Sequence, residues 1–544
     1  MDTQRASSWR DGGFWVGVVV LAALVRWPAL AHWPLGPREA DLAARAWDAA
    51  LGQAPPAGPG GWLTAWLAGL FFLTGPTTLM ARALPALAGA LLPLVARAGE
   101  PVWGRRLARG VALGWALDPA LVAASRLAWG PALALAWVGL AWAAYRADRL
   151  GWAGLAAVAA LASGPSAGWA GLVLLALLWA EGPPRTRPTR RTVALLAVGL
   201  FLVVTVGLGY PAGLGGWAGG LVAWARGWQH GPGAPAVAGV AYLAPVLLWA
   251  AWGAWLEPAP DGPRRAQARL LAAGLVAGLW LAYPARQAVD LAWVSLLLWP
   301  WAAVPWLRAL EAAARGGRGA RLAAGLAAGL LVLAGFAGLL VLAVDAWTTP
   351  DVLALALLVA TGTAAGLMFA LVAALDRPAT AWQGVAWAGL AVTALALTRN
   401  LNHAWHAASG GEFWQTPAAA ADVRALEATL ARWGAWLARG VPHDAPGVLR
   451  SDDPVLTWLQ RSRVPGLQPR QALMPDERPP LVLTTDPSPR AGYWGQRYRL
   501  WETPQVPPRV GWLRWWLYGA AERQATYGLL WVRSDLGPAG NAQP

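Results

Sequence analysis

The run FWVGVVVLAALVRWPALAHWPLGPREADLAARAWDAALG, residues 14–52, sets two unlike segments end to end. The first, from Phe14 to about Leu30, is close to the roughly 20 apolar residues that a helix needs to cross a hydrocarbon core of about 30 Å. It contains Arg26 and Pro28 and lacks a small-residue cleavage site, so it reads as a retained first helix rather than a signal peptide. The second segment brings Arg38, Glu39, Asp41, Arg45 and Asp48 together within a chain otherwise poor in charge. Such a cluster is either the wet end of a membrane helix or the edge of a site.

The whole chain follows the first segment. Of 544 residues, 57% are hydrophobic and only 13% charged, with 40 Trp, a profile that soluble globular chains do not have and a membrane protein does. The formal net charge is +15, carried entirely by Arg. In such a chain positive charge marks cytoplasmic loops, and no nucleic-acid module is visible, so no nucleic-acid partner is expected. The absence of Cys excludes disulfides, thiolate metal sites and thiol nucleophiles.

Apolar runs of spanning length lie near 14–31, 79–98, 108–126, 129–146, 191–210, 235–256, 268–283, 287–306, 322–344, 350–374 and 380–397. The segment 150–180 is too long for one span and is broken by SGPSAG at 163–168, where Gly and Pro turn the chain between two short helices. The expected fold class is therefore an all-α polytopic membrane protein of about thirteen helices. The Arg-rich loops at 97–109, 146–149, 183–191, 260–269 and 308–321 are each separated by two spans and fall on one side. With Arg5 and Arg10 also inside, the loop 32–78 faces outward and the C-terminal region follows it there. That orientation requires GGWLTAWLAGLFFLTG, residues 60–75, to lie at the interface or re-enter rather than cross. After Arg399, residues 422–440 have an amphipathic helical pattern, and LVLTT (481–485), RYRLW (497–501) and YGLLWVR (527–533) read as strands between Pro-rich turns. A transmembrane domain over 1–398 and a small extracytoplasmic α/β domain over 399–544 are expected.

Charge at the outer surface is the informative part, because ionisable groups there are costly and line cavities or sites. The candidates are Arg38, Glu39, Asp41, Asp48, Arg126, His230, Arg286, Asp290 and Asp345. On a helix starting near Pro37, Asp41 can pair with Arg45 or Arg38, which would make the cluster an ordinary charged first turn. The functional alternative is a carboxylate serving as general base on an acceptor hydroxyl, with Arg38, Arg126 and Arg286 holding a lipid phosphate; an interfacial anchor is the plainer reading of each Arg. His403 and His406 have metal-ligand spacing, but no acidic third ligand is evident nearby, and no metal site is expected there. The many glycines suit close helix packing, and the Trp residues suit interface belts.

The order of these features resembles the GT-C class of lipid-linked membrane glycosyltransferases, of the glycosyltransferase family 39 type that includes protein mannosyltransferases. Within it the chain looks most like a bacterial and archaeal flippase-activity-associated branch. The resemblance is carried by ALVRWPAL (23–30), PREADLAARAWDAALG (37–52), ARALPALAGALLPL (81–94), residues 103–129 and SGPSAG, and at the C-terminal end by GEFWQTPAAAADVRALEATL (411–430), DDPVLTWLQR (452–461) and WLRWWLYGA (512–520). It implies a plasma-membrane transferase of the cell envelope that takes sugar from a polyprenyl-phosphate donor to a glycan, lipid or protein acceptor, without a cofactor. Where the family opens its first outer loop with an Asp-Glu pair, this chain has Arg38-Glu39, and no acid follows Arg126. The catalytic acid is thus expected at Glu39 or Asp41, unless the chain is a noncatalytic relative that binds polyprenyl-linked glycans and assists their flipping or assembly.

Overall fold

A computed structural model of the chain describes residues 2–55, 60–164, 166–182, 190–210, 212–229, 233–256, 263–315, 325, 329, 378–437, 447–464, 467–470, 477–488, 491–505, 515–516 and 521–536. The expected spans at 322–344 and 350–374, and the candidates His230 and Asp345, lie outside these residues.

The helices that frame the site are α1 (Asp2–Arg26), α2 (Pro37–Ala50), α3 (Gly61–Thr74), α4 (Thr78–Leu91), α5 (Val95–Ala98), α6 (Glu100–Leu117), α7 (Pro119–Arg126), α8 (Ala132–Arg146), α9 (Leu150–Ala162) and α10 (Ala167–Glu181). There follow α11 (Arg190–Val204), α12 (Gly213–Arg226), α13 (Ala236–Leu256), α14 (Pro263–Ala282), α15 (Leu291–Ala302), α16 (Val304–Arg315) and α17 (Pro378–Trp405). By length and hydropathy Thr78–Ala98, Ala236–Leu256 and Ala288–Glu311 can each cross a membrane among the described residues, and α6 with α7 forms a fourth such unit bent by 50°. Several shorter apolar helices accompany them. At 14 residues, α3 is about 21 Å long at 1.5 Å per residue, short of the hydrocarbon thickness. The break expected at 163–168 separates α9 from α10.

The bend between α6 and α7 has a local cause and a distant clamp. Asp118 caps α7 by accepting from Leu121 N at 2.8 Å, with Pro119 at the first helical position. Its other oxygen accepts from Ser295 Oγ at 2.7 Å and Trp299 Nε1 at 2.8 Å, fixing the bend against α15. Gly114 lets this happen: a Cβ there would lie 2.0 Å from the Trp299 ring. Because Trp299 is held by Asp118 it cannot swing away, so Gly114→Ala should cost about 1–3 kcal/mol of overpacking strain. Thermal unfolding in detergent will check this, and an unchanged midpoint would refute it.

Charged side chains of several Arg-rich segments pair with acids from neighbouring elements. Glu181 accepts from Arg269 Nε at 2.9 Å, Arg146 Nη1 at 2.8 Å and Trp142 Nε1 at 3.0 Å. Arg106 pairs with Glu311 at 3.1 Å, and Asp11 pairs with Arg105 and Arg109. An apolar cavity of about 350 Å³, lined by Trp142, Tyr145 and Leu178, opens beside Glu181. Trp169 lies twelve residues from Glu181 along α10, or about 18 Å, toward the opposite end.

Helix α17 runs past Arg399 to Trp405 and feeds the C-terminal unit. That unit is a six-stranded mixed sheet of β1 (Ala418–Ala419), β2 (Val448–Arg450), β3 (Gln468–Pro469), β4 (Leu481–Thr484), β5 (Tyr493–Pro504) and β6 (Arg523–Arg533), in the order β1-β5-β6-β4-β2-β3. Helices α18 (Asp422–Leu437) and α19 (Pro454–Arg463) accompany it. The expected amphipathic helix and all three expected strands are present. Asp453 caps α19, accepting from Val455 N at 2.9 Å, and also accepts from Trp501 Nε1 at 2.9 Å, which ties the helix start to β5.

The sheet unit is bound to the segment between α1 and α4. Phe71 of α3 stacks on Trp458 of α19 with centroids 5.8 Å apart, Arg461 pairs with Asp48 of α2, and Arg424 donates to the Ala31 carbonyl at 2.9 Å. Burial raises the Asp48 carboxyl above its ordinary range, against the opposing pull of Arg461.

Candidate active site

Pro37 at the first helical position starts α2, and Glu39 two residues on turns inward. Its carboxylate is fully buried and accepts four hydrogen bonds: Arg82 Nε at 2.8 Å, Arg82 Nη2 at 2.7 Å, Ala128 N at 2.8 Å and Gly36 N at 3.1 Å. A carboxylate has about four lone-pair sites, so none is left for a substrate proton. Arg82 is equally committed, its remaining donors going to the carbonyls of Leu30, Trp33 and Pro34 at 2.8–3.0 Å. The expectation that Glu39 is the catalytic carboxylate is therefore revised: it is the internal counter-ion of Arg82 and holds together the loop after α1, the start of α2, α4 and the turn after α7. The signal for this was Arg82 itself, a charge within the apolar run ARALP that needs a buried partner.

Asp41 points outward, its side chain 51% exposed, and pairs with Arg45 at 2.6 Å, the i,i+4 contact that the sequence predicts. Arg126 is buried and donates Nη1 to the carbonyls of Arg26 and Pro28 at 2.7 and 3.0 Å, with its guanidinium over the Trp405 ring at 5.4 Å. It faces α17 rather than the surroundings of Arg38.

Arg38 is different. Its guanidinium lies over the Trp129 ring, 5.0 Å from the centroid, and among the described residues it has neither a hydrogen bond nor an ion pair. Burial pulls it below its ordinary pKa, while the charge of Asp290 and the Tyr283 hydroxyl act in the opposite direction. Asp290 is buried just ahead of α15. It accepts from Gln287 N at 3.3 Å and forms no ion pair among the described residues. Arg38 and Asp290 thus act on each other through charge without forming an ion pair, in contrast to the saturated Glu39–Arg82 pair.

Arg286 completes this end. It staples the turn before Asp290, donating Nε to the Ala234 carbonyl at 2.9 Å and Nη1 to the Leu281 and Tyr283 carbonyls at 3.2 and 3.3 Å, over the Trp280 ring at 5.9 Å. Tyr283 stacks on Trp224 with centroids 5.9 Å apart and meets Trp169 and Trp228 edge-on, forming an aromatic wall. Of the residues expected from sequence, Arg38 is coupled by charge to Asp290 and to Tyr283, the residue whose carbonyl Arg286 holds, while Glu39 is spent on Arg82, Asp41 on Arg45 and one arm of Arg126 on backbone carbonyls. Asp290 stood among the outer-face charges, but nothing in its local sequence distinguishes it from Asp41.

The histidines do not form a metal pair. His403 Nε2 donates to the Trp516 carbonyl at 2.8 Å, and Nδ1 meets Glu412 at 2.7 Å, so both ring nitrogens are used. Glu412, nine residues on, is the acidic neighbour the sequence did not reveal; it also accepts from Tyr242 at 2.9 Å. His406 bonds the Asn402 carbonyl at 2.8 Å. No cluster of three metal-ligating side chains occurs among the described residues.

Two solved structures share this architecture. ArnT from Cupriavidus metallidurans bound to undecaprenyl phosphate is 16% identical with a TM-score of 0.50, covering 84% of this chain and 86% of that one. The apo state of the same protein is 17% identical with a TM-score of 0.51, covering 86% of each chain. The fold is of the GT-C type. Together with the apolar helices it marks a membrane protein, and the likeness reaches the class rather than any one branch of it. No protein-family model and no curated protein matches the sequence.

Proposed function

We propose that this GT-C-type chain is a membrane glycosyltransferase that moves a sugar from a polyprenyl-phosphate donor to a hydroxyl-bearing glycan, lipid or protein acceptor. Its site lies at the bundle end opposite the Arg-rich loops, on the outer face of a bacterial or archaeal plasma membrane. The N-terminus is cytoplasmic and the 399–544 domain extracytoplasmic. The observation that carries this reading is Arg38, a cation over Trp129 with no hydrogen bond or ion pair among the described residues, together with the lightly committed Asp290. The undecaprenyl phosphate bound by ArnT of the same fold supports a donor of that kind.

In the proposed reaction Arg38, with Arg286 beside it, holds the donor phosphate by charge-assisted hydrogen bonds. The acceptor oxygen forms a bond to the anomeric carbon as the bond from that carbon to the phosphate oxygen breaks. The electron pair leaves with polyprenyl phosphate, whose growing charge the arginines stabilise, and the acceptor proton passes to Asp290.

Binding of undecaprenyl phosphate to the parent protein and to Arg38→Ala tests the reading. Loss of charged hydrogen bonds worth about 1.5–3 kcal/mol should weaken binding roughly 10- to 100-fold. Equal affinities would remove Arg38 from the site. A second reading is favoured by Arg38 standing where the resembled family has an acid: a noncatalytic binder of lipid-linked glycans that serves flipping or assembly. Acceptor-dependent release of polyprenyl phosphate separates the two, since only the transferase produces it.

A further inference from the structure

The segment 411–417 reaches back from the end of α17 to the start of α2. Glu412 anchors it through His403, and Trp414 stacks on Tyr242 with centroids 3.9 Å apart. Between these anchors and the sheet, Gln415 is completely buried, yet neither its amide nitrogen nor its amide oxygen has a hydrogen-bond partner among the described residues. It lies against Gly36, where a Cβ would come within 2.3 Å of Nε2, so the missing side chain at 36 is what admits it. Gly36 is two residues from Arg38. The next residue, Thr416, donates its hydroxyl to Gln287 Oε1 at 3.4 Å, and Gln287 N binds Asp290. The unpartnered amide is thus linked through short contacts to both charged groups of the proposed site.

Its neighbours share the deficit. Trp129, under Arg38, Trp293, one turn after Asp290, and Trp414 each bury an indole N–H without a partner. Buried polar atoms in native proteins are nearly always satisfied, and an orphaned amide is costly enough that its place needs a reason. Unpartnered indoles occur elsewhere in the bundle as well, but Gln415 is, among the described residues, the buried amide with both valences unfilled, and it lies against the residue that precedes the Arg38 helix. A primary amide offers a donor and an acceptor side by side, the pattern that meets two vicinal hydroxyls of a pyranose ring, and indole faces and N–H groups suit the same polyhydroxylated ligand.

Resting on the transferase reading above, we infer that Gln415 is a sugar-specificity residue: its amide binds vicinal hydroxyls of the donor sugar while Arg38 binds the phosphate. The segment from the C-terminal unit then selects the sugar, and the arginines of the helical bundle hold the lipid phosphate common to all donors. Sugar entry replaces the two empty hydrogen-bond valences, so the amide discriminates against a hydroxyl turned the wrong way.

The test measures affinity for undecaprenyl phosphate, undecaprenyl-phosphate mannose, undecaprenyl-phosphate glucose and undecaprenyl-phosphate galactose. The sugars differ by inversion at C2 or at C4. The parent, Gln415→Leu and Gln415→Asn are compared, each with its thermal unfolding midpoint. The parent should bind one sugar-linked lipid at least about tenfold more tightly than its epimers. Gln415→Leu should bind bare undecaprenyl phosphate within about twofold of the parent, lose the epimer preference, and unfold at the same temperature or higher, because two unsatisfied polar atoms have gone. Gln415→Asn, with a shorter reach, should weaken the preference in the same direction. An intact epimer preference in Gln415→Leu overturns the inference. Tight binding of bare lipid phosphate by a parent indifferent to the sugar overturns it alone, whereas a parent that binds no undecaprenyl phosphate overturns the Arg38 reading as well.

Discussion

Asp290→Asn is expected to slow acceptor-dependent sugar transfer by about two to four orders of magnitude, the usual contribution of a positioned general base. Undecaprenyl phosphate binding should stay within about twofold of the parent. Asparagine keeps the shape of the side chain and an oxygen that can accept from Gln287 N, which sits 3.3 Å from the carboxylate. It cannot take the acceptor proton. Single-turnover transfer from a sugar-linked undecaprenyl phosphate, followed with donor saturating, isolates this step from donor capture. If Asp290→Asn transfers sugar at the parent rate, the base lies elsewhere and the proposed chemistry fails. A loss of donor binding equal to the loss of rate would instead make Asp290 a structural partner of Arg38.

Glu39→Gln tests the opposite assignment and should act on stability. The Glu39 carboxylate has 0% exposure and accepts from both arms of Arg82 and two backbone N–H groups. An amide in its place turns two N–H groups toward a shell made only of donors and leaves Arg82 charged, buried and unpaired. Breaking one side of a buried ion pair costs about 3–5 kcal/mol, enough to lower the unfolding temperature and the yield of folded protein. Asp41→Ala, which removes one end of an exposed i,i+4 pair, should change stability by no more than about 0.5 kcal/mol. Thermal unfolding of the two variants side by side decides the matter. A Glu39→Gln protein that folds as stably as the parent and fails only in transfer would restore Glu39 as the catalytic acid.

The hydrogen bonds of Glu39 show what resemblance along the chain does not report. PREAD places Glu39 where the resembled family keeps an acidic pair, and its position at the start of an outer-loop helix suits either a site or a cap. Its actual role depends on Arg82, 43 residues away, and on the Ala128 backbone, 89 residues away. No periodicity within α2 reports those distances. Substituting Arg for the first acid of the pair carries a further consequence: it supplies the cation over Trp129, and the charge of Asp290 acts on it.

What the sequence determined by itself is whatever follows from local period and length. Runs of apolar residues fixed helices at 78–98, 236–256 and 288–311, Gly and Pro broke the chain at 163–168, and strand-like runs placed β4, β5 and β6 of the C-terminal sheet but not its three short strands. The spacing of arginines put the loops at 146–149 and 260–269 on one side, and Arg146 and Arg269 both pair with Glu181. The i,i+4 geometry of a helix foretold Asp41–Arg45. Only the tertiary structure decided which charges are spent and which remain available. Arg82 saturates Glu39, backbone carbonyls hold one arm of Arg126, Asp290 acts on Arg38 through charge, and Gln415 is packed against Gly36 with its amide unfilled. The physical reason is that a side chain's chemistry depends on its unsatisfied valences, and those are settled by partners that packing brings from distant parts of the chain.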